Sequence, residues 1–417
     1  QYYEDRSRLR EIWEETMASD EAEQVIFFTT PVTLRNLTDA VASIIDEDVD
    51  DITLDNEDNV DALIRSGDAR VFDYALIDEA SMMDLPLLFL LGAFLRESRQ
   101  LMLIGDHRQM RPIQSHDWES EDRKTIEEHT PSLSVLNLMR FLRGQTDDDE
   151  TLEYLEREPP QWSNPDNVLP LVQFDTTYRF TTPMADLETE FFYQKDNLSL
   201  SSGVNRPLIP DVTSASGLPN WAQAALDPEP RVTLLLHDDD QFTKDSPVEE
   251  AITNTLLEAL PIASDQNAGS DVVTAGVVVP FRLQRRRMQD SIPQGVTADT
   301  VERFQGDEKD VMVLSMTAGN QGYVNSRADF LLDENRFNVG ISRMKRKVFI
   351  IASKSIFRAI SPDVKDYERQ KAWKKLYQLL GVADRQPDGE ATLTQSEVPE
   401  LATGREVNLE VYTGFSD

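Results

Sequence analysis

Short apolar runs separated by amphipathic stretches recur along the chain, and this spacing predicts strands that alternate with helices. In the first half the predicted strands are Val25–Phe28, Ala75–Ile77 and Leu101–Ile104, and an apolar helix covers Leu85–Leu95. Apolar runs of this length are typical of strands that are buried in a parallel sheet. Further helices are predicted over residues 1–24 and 34–45, before an acidic, loop-rich stretch over 46–70.

The same alternation returns in the second half, after an irregular acidic stretch over residues 115–170. Strands alternating with helices predict a parallel α/β sheet in each half. We therefore expect a first domain over 1–165, a second over 166–382 and a disordered acidic tail over 383–417. The predicted strands of the second half are Val232–Leu236, Ala275–Val279, Val311–Ser315 and Val348–Ala352.

Composition removes several classes of protein. The chain of 417 residues has no cysteine and four histidines, which excludes thiol catalysis, cysteine-ligated zinc and a histidine-rich metal site. No apolar run approaches the roughly 18 residues of a membrane helix, so no membrane partner is expected. A net charge of -35, with few lysines, suits a protein kept in solution at high salt. We expect a halophilic, cytoplasmic protein, although a local binding groove for nucleic acid stays compatible with this charge.

Two carboxylates at the end of an apolar run are the first candidates for chemistry. Asp78 and Glu79 directly follow the strand Ala75–Ile77, at the edge where open α/β sheets place their ligands. One acid there can bind Mg²⁺, and its neighbour can orient or deprotonate a water. The alternative is a pair of solvated acids in a turn. The next strand ends in Gly105-Asp-His-Arg-Gln-Met-Arg-Pro112, where Gln109 can contact a phosphate oxygen or an attacking water.

With these two segments in this order, the chain resembles superfamily 1 helicases. The closest subgroup is typified by the RNA helicase of nonsense-mediated decay and its DNA-helicase relatives. The resemblance implies an α/β fold with two RecA-like parallel-sheet domains, the first one incomplete, and it implies ATP and Mg²⁺ as cofactors. The segments correspond to the Walker B motif and motif III. Asp78 is then the Mg²⁺ ligand, Glu79 the catalytic base and Gln109 a γ-phosphate sensor.

Two segments of the second half resemble the family's arginine-bearing motifs. Phe174–Phe180 is similar to the Gln-Tyr-Arg-Met segment, with Thr177 where the family usually has Gln. This implies that Arg179 approaches the γ-phosphate and that Tyr178 stacks on adenine. Arg336–Met344 resembles motif VI, which implies that Arg343 is a second arginine finger.

Two other segments resemble motifs IV and V. Val277–Gln284 implies nucleic-acid contacts by Pro280 and Arg282. In Thr300–Asp310, the resemblance implies that Thr300 contacts the strand backbone and that Gly306 allows close approach to phosphate or nucleic acid. In the same motif, Gln305 and Glu308 would link the nucleotide and strand sites. The site residues implied by motif V are Thr300, Gln305, Gly306 and Glu308.

The family's phosphate-binding loop, Gly-x-x-x-x-Gly-Lys-[Ser/Thr], does not occur in this sequence. In the family that loop precedes the Asp-Glu motif, so we expect the chain to be a fragment that hydrolyses ATP poorly alone.

We predict the core of an ATP-dependent helicase, which couples ATP hydrolysis to movement on single-stranded DNA or RNA. By resemblance, this movement is 5′ to 3′. The rival hypothesis is a non-catalytic nucleic-acid-binding or regulatory module without a phosphate-binding loop. A helicase associated with a nuclease would need a nuclease domain, and the sequence does not indicate one. Protein partners are not indicated.

Overall fold

A computed structural model of the protein describes residues 72–112, 133–145, 169–263, 271–304, 307–359 and 370–416. The elements predicted before residue 72, and the site residues Gln305 and Gly306, lie outside these ranges. The chain divides into two compact units. The first contains 1–107 and 111–170, and the second contains 108–110 and 171–417. The division follows residue 170, close to the predicted boundary, but Gln109, which was predicted in the first domain, groups with the second unit.

The described part of the first unit is a pair of parallel strands with two helices. Strand β1 (Phe72–Ile77) pairs with β2 (Leu95–Leu103), and helix α1 (Leu85–Phe94) connects them. Asp84 caps α1 by accepting a hydrogen bond from the Leu87 amide at 3.0 Å. Helix α2 (Val135–Leu142) packs with α1 against one face of the sheet. The predicted helix and both predicted strands are confirmed.

The prediction that β1 is a buried strand is wrong for one of its two faces. Ile77 is buried beneath the helices, whereas Tyr74 is 69% exposed and Leu76 is 62% exposed. Met102, the neighbour of Leu76 on β2, is 59% exposed. The reason is the two-residue period of a strand, which sends alternate side chains to opposite faces, and α1 and α2 cover only one of them.

The second unit is built on a seven-stranded sheet in the order β10-β11-β5-β9-β8-β6-β7. Strands β5, β9, β8, β6 and β7, which are neighbours in this order, are mutually parallel. Every residue of β5 and β6 is buried. The strands are β5 (Val232–His237), β6 (Ala275–Val279), β7 (Thr297–Thr300), β8 (Lys309–Ser315), β9 (Met344–Ser353), β10 (Gly389–Leu393) and β11 (Val407–Gly414). The predicted RecA-like α/β fold is therefore confirmed, and the antiparallel strands β10 and β11 extend one edge of the parallel sheet.

Helices connect these strands, and a two-stranded parallel ribbon precedes them. The ribbon joins β3 (Thr176–Thr177) to β4 (Ser201–Ser202). The helices are α3 (Thr182–Glu188), α4 (Asn220–Ala225), α5 (Pro247–Ala259), α6 (Arg282–Ser291), α7 (Gln321–Ser326), α8 (Ala328–Leu331), α9 (Glu334–Ser342), α10 (Lys354–Arg358) and α11 (Lys371–Leu379). In the described parts of the chain, no helix is long and apolar enough to cross a membrane.

The prediction of a disordered tail over 383–417 is wrong. Strand β11 pairs antiparallel with β5, with Val411 opposite Leu235, and β10 pairs antiparallel with β11. Val407, Leu409 and Val411 alternate along β11 and are all buried. The high acid content hid this alternation, because Glu410 and its polar neighbours occupy the other face of the strand.

Candidate functional site

The two acids lie at the carboxyl end of β1, where the backbone makes an unusual turn. Glu79 adopts a left-handed conformation with φ 52° and ψ 43°, which is uncommon for a residue with a side chain. The Asp78 carboxylate accepts a hydrogen bond from the Glu79 amide at 2.9 Å. Backbone strain of this kind concentrates at functional sites, and here it turns two adjacent carboxylates out of one strand end.

Gly105 brings the end of β2 beside this turn. A Cβ atom at Gly105 would lie 2.8 Å from the Ala80 nitrogen and 2.9 Å from Leu136 Cδ1. The Ala80 amide also donates to the Ile104 carbonyl at 2.9 Å. Only glycine allows the two strand ends to approach this closely, which explains why the Gly-Asp step follows β2.

Among the described residues of the first unit, Asp78 has an exposed carboxylate that could bind a divalent cation. Among the described residues no group of three or more acids or histidines could enclose a metal ion. Mg²⁺ at nucleotide sites keeps several waters and binds one or two carboxylates together with the phosphates of its nucleotide. A single exposed carboxylate in a strained turn fits that mode of binding.

The second unit brings together four of the predicted site residues. Arg179 donates from Nε to Glu308 at 3.0 Å and from Nη1 to the Ser342 carbonyl at 2.9 Å. The next residue, Arg343, donates from Nη2 to Gln109 Oε1 at 2.7 Å. Arg179 therefore bonds to the residue that directly precedes Arg343, at the junction of α9 and β9.

Arg343 is held in place by its surroundings. It is 2% exposed, and its carbonyl accepts the Lys309 amide at the start of β8. From the same helix, Asn338 donates to the Arg108 carbonyl at 3.1 Å, which fixes the residue before Gln109. A buried guanidinium requires hydrogen-bonding partners, and Gln109 supplies one of them.

Glu308 bridges two cations. Lys345 Nζ lies 2.7 Å from one carboxylate oxygen, and Arg179 contacts the other. Burial on its own raises the pKa of Glu308, but the hydrogen bonds from Lys345 and Arg179 outweigh it and lower that pKa below the usual value. The carboxylate is consequently ionised at neutral pH and orients the Arg179 side chain. Sequence reasoning noted the basic run at Lys345 but not this contact.

Tyr178 presents an aromatic ring at the surface. The residue is 68% exposed, and one edge of its ring rests against Gly203, where an added Cβ would lie 2.5 Å from Cε1. A ring supported by backbone and otherwise open can stack on a planar base. Gly203 carries no motif signal in the sequence, so sequence reasoning did not single it out.

The basic cluster on α6 separates into two pairs of arginines. Arg285 contacts Asp299 at 3.1 Å, and Arg287 contacts three acids, with Glu250 nearest at 2.8 Å. Arg282 and Arg286, one helical turn apart, are exposed. The first pair is structural, and the second is oriented toward solvent beside Pro280.

Two further residues of the predicted motifs are buried. Gln284 is fully buried and accepts the Ser246 amide at 2.7 Å, so motif IV contributes a core contact at that position. Thr300 ends β7, and its carbonyl accepts the amides of Arg303 and Phe304. Thr300 therefore closes a turn next to the predicted strand contacts Gln305 and Gly306, which lie outside the described residues.

Comparison with known proteins shows a family match that covers much of the second unit. A family model described as an AAA domain matches residues 163–355, which include Arg179, Glu308 and Arg343. The fold and this match define a RecA-like α/β protein that is similar to superfamily 1 helicases.

Individual proteins are similar to this chain in sequence or in structure. The chain is 25% identical over 301 residues to the DNA replication ATP-dependent helicase/nuclease JHS1 of Arabidopsis thaliana, covering 68% of this chain and 19% of that protein. It is 24% identical over 298 residues to the DNA replication ATP-dependent helicase/nuclease dna2 of Schizosaccharomyces pombe, covering 69% and 19%. The chain thus spans about a fifth of the length of these relatives. The PRRSV helicase structure covers 66% of this chain and 34% of its own, at 15% identity and a TM-score of 0.30.

Proposed function

We propose that this chain is the core of an ATP-dependent nucleic-acid helicase or translocase of superfamily 1. The observation that carries the proposal is the network Glu308–Arg179–Ser342 and Arg343–Gln109, because it gathers residues from four separate motifs in one unit. A purely structural role does not require Arg179 to bond to the residue before Arg343. Nor does it require the Gln109 amide to contact Arg343.

In this proposal each residue acts on the phosphates of ATP according to its chemistry. Arg179 and Arg343 stabilise the charge that develops on the transferred phosphoryl group, since a planar guanidinium can bind phosphate oxygens bidentately. Gln109 senses that group through its contact with Arg343. Tyr178 stacks on adenine.

The two acids of the first unit supply the remaining chemistry. Asp78 holds Mg²⁺, which when bound neutralises charge on the β- and γ-phosphate oxygens. Glu79 orients the attacking water and accepts its proton. The left-handed turn at Glu79 supports this role, because backbone strain of this kind concentrates at functional sites.

The proposed strand site involves the exposed arginines of α6. Arg282 and Arg286 contact phosphates near Pro280, and Thr300 and Gln305 of motif V contact the strand. The names of these two relatives favour DNA as the substrate, with RNA as the alternative. Movement is 5′ to 3′ by resemblance. Glu308, between Lys345 and Arg179, links the strand loop to the nucleotide site.

The acidic surface adds the proposal of a halophilic, cytoplasmic protein. Because phosphate contacts lose affinity steeply as salt rises, strand binding should rely more on stacking and hydrogen bonds. We expect a shallower dependence of affinity on salt than in a relative of ordinary charge. Equal slopes would contradict this part of the proposal.

The test is ATP hydrolysis by the protein encoded by the whole open reading frame, with single-stranded DNA, single-stranded RNA or neither. We expect hydrolysis that a strand stimulates, and weak hydrolysis by the 417-residue chain alone. Binding of a strand without stimulated hydrolysis by the whole protein would instead favour a non-catalytic binding module.

A further inference from the structure

The backbone around Tyr178 and Arg179 has little support from secondary structure. The ribbon pairs only two residues on each strand, and the chain bends immediately after Thr177. Backbone carbonyls beyond a sheet need other donors, from the protein or from water, in place of a strand partner. Four consecutive carbonyls lie at this point, those of Thr177 at the end of the ribbon and of the three residues that follow it.

All four carbonyls are bound by one short segment, residues 202–206. The Gly203 amide donates to the Thr177 carbonyl at 2.8 Å, and the Ser202 hydroxyl donates to the Phe180 carbonyl at 2.8 Å. The two carbonyls in the middle belong to the predicted nucleotide residues. Arg206 binds both of them, from Nη2 to the Tyr178 carbonyl at 2.8 Å and from Nε to the Arg179 carbonyl at 3.0 Å.

Arg206 is itself fixed from the interior of the sheet. Arg231, which precedes β5, donates to the Arg206 carbonyl at 3.2 Å and to the Pro207 carbonyl at 3.4 Å. Arg346 on β9 donates to the Pro207 carbonyl at 3.1 Å and also to the Leu208 carbonyl. Arg231 and Arg346 are both buried. The guanidinium of Arg206 therefore extends from a backbone that the core holds rigidly.

We propose that Arg206 is a positioning residue that fixes the backbone of Tyr178 and Arg179, so that the ring and the guanidinium are held ready for a nucleotide. This inference rests on the proposed function for its ligand, an adenine nucleotide. Arg206 does not touch that ligand and acts through its two carbonyl contacts. The planar guanidinium of Arg206 matters because its Nε and Nη2 groups reach two successive carbonyls. A lysine ammonium could keep only one of these two hydrogen bonds in the same direction.

The first experiment measures the backbone without any ligand. Hydrogen exchange is compared in the 417-residue chain, in Arg206→Met and in Arg206→Lys, for peptides that cover 174–182 and 200–208. The matched control is Arg385→Met, because Arg385 also donates to two backbone carbonyls, those of Leu380 and Thr413. We expect exchange of both peptides to rise about tenfold in Arg206→Met, less in Arg206→Lys, and to stay unchanged in Arg385→Met.

The second experiment measures binding of a fluorescent ADP analogue to the protein encoded by the whole open reading frame, unsubstituted and with the same three substitutions. We expect Arg206→Met to weaken binding about five- to twentyfold, with partial rescue in Arg206→Lys and ordinary affinity in Arg385→Met. In Arg206→Met, the inhibition constant of tripolyphosphate, which has no base, should rise less than the inhibition constant of ATP. A structural defect alone would weaken both competitors equally.

The two experiments separate the possible failures. Unchanged exchange in Arg206→Met would overturn the positioning role. Raised exchange with unchanged nucleotide affinity would overturn its link to the nucleotide. If the unsubstituted whole protein binds no nucleotide, the proposed function fails and the nucleotide part of this inference fails with it. Exchange still decides whether Arg206 holds the backbone.

Discussion

The acids of the first unit and the arginines of the second are held in opposite ways. Asp78 is exposed and Glu79 partly so, and their directions depend on a left-handed backbone turn beside Gly105. Arg343 is buried, and Arg179 is oriented by side-chain and carbonyl partners. The two acids therefore depend on backbone geometry, whereas the two arginines depend on a hydrogen-bonded network within the second unit. Different substitutions should disrupt each part.

The largest loss of stability is expected from removing the last two strands, β10 and β11, from the sheet of the second unit. Deleting residues 384–417 removes β10 and β11 and exposes the edge of β5. The lost side chains include Leu393, Val407, Leu409 and Val411, each worth about 1.5–3 kcal/mol when fully buried. We expect the second unit to lose cooperative thermal unfolding in calorimetry. Deletion of residues 416–417 alone is the control, and a cooperative transition in the long deletion would contradict the strand assignment.

The second effect is a pH dependence of stability that originates at Lys347. Burial lowers the pKa of Lys347 to about 7 from the ordinary 10.5. Its Nζ donates to the carbonyls of Asp227 and Pro230 at 2.7 and 2.6 Å, and a neutral amine has the two N–H groups that these contacts need.

Between pH 7 and 10.5 the unfolded chain therefore carries a proton that the folded chain has released. Unfolding takes up this proton, so the contribution of Lys347 to stability rises with pH by up to about 1.4 kcal/mol per unit. Urea unfolding of Lys347→Met at several pH values should lack this rise. The same slope in the variant and the unsubstituted chain would show that Lys347 titrates normally.

The third effect tests the backbone dependence of the acids. Gly105→Ala should destabilise the first unit by about 1–3 kcal/mol, because the new methyl group meets the Ala80 nitrogen. Gly92→Ala, in the middle of α1, is the matched control. A Cβ at Gly92 has nothing within 4 Å, so that change should be neutral or stabilise by about 0.5–1 kcal/mol. Equal urea midpoints for the two variants would contradict the close approach at Gly105.

The smallest effect separates the two arginine pairs of α6. Arg282→Gln with Arg286→Gln should weaken single-strand binding and reduce the salt slope by about 1.4, which corresponds to roughly 0.7 per phosphate contact. Arg285→Gln with Arg287→Gln is the paired control, since those side chains already bind carboxylates. It should leave the salt slope unchanged and cost about 1 kcal/mol or less per ion pair. A reduced slope in the control alone would reverse the assignment.

The sequence predicts the sheet well where strands are buried on both faces. Strand β6 has the predicted limits, because a parallel strand covered on both sides is a continuous apolar run. Strand β11 was missed, since an edge-side antiparallel strand alternates apolar and polar residues and here lies in an acidic segment. Tyr74 and Leu76 show the converse error, because the apolar run of β1 predicts burial on both faces, whereas these two side chains are exposed.

The candidate site follows the same division. The residues brought together around Arg179 and Arg343 belong to motifs, so the resemblance to a known family predicts them from the sequence alone. No such motif signal marks the left-handed turn at Glu79, the contact of the Tyr178 ring with Gly203 or the contacts of Arg206. Each depends on which backbone groups lack partners after the chain has folded, and that is a tertiary property.

The central claim is that Arg343 acts on the phosphoryl group during hydrolysis, and a turnover measurement on the whole protein tests it most directly. At saturating ATP and single strand, Arg343→Ala should lower kcat about a thousandfold or more, while ADP affinity changes by only about threefold. Arg343→Lys should restore little, because it lacks the planar fork, and circular dichroism should confirm that both variants fold. A folded Arg343→Ala protein that keeps the turnover of the unsubstituted protein would contradict the account.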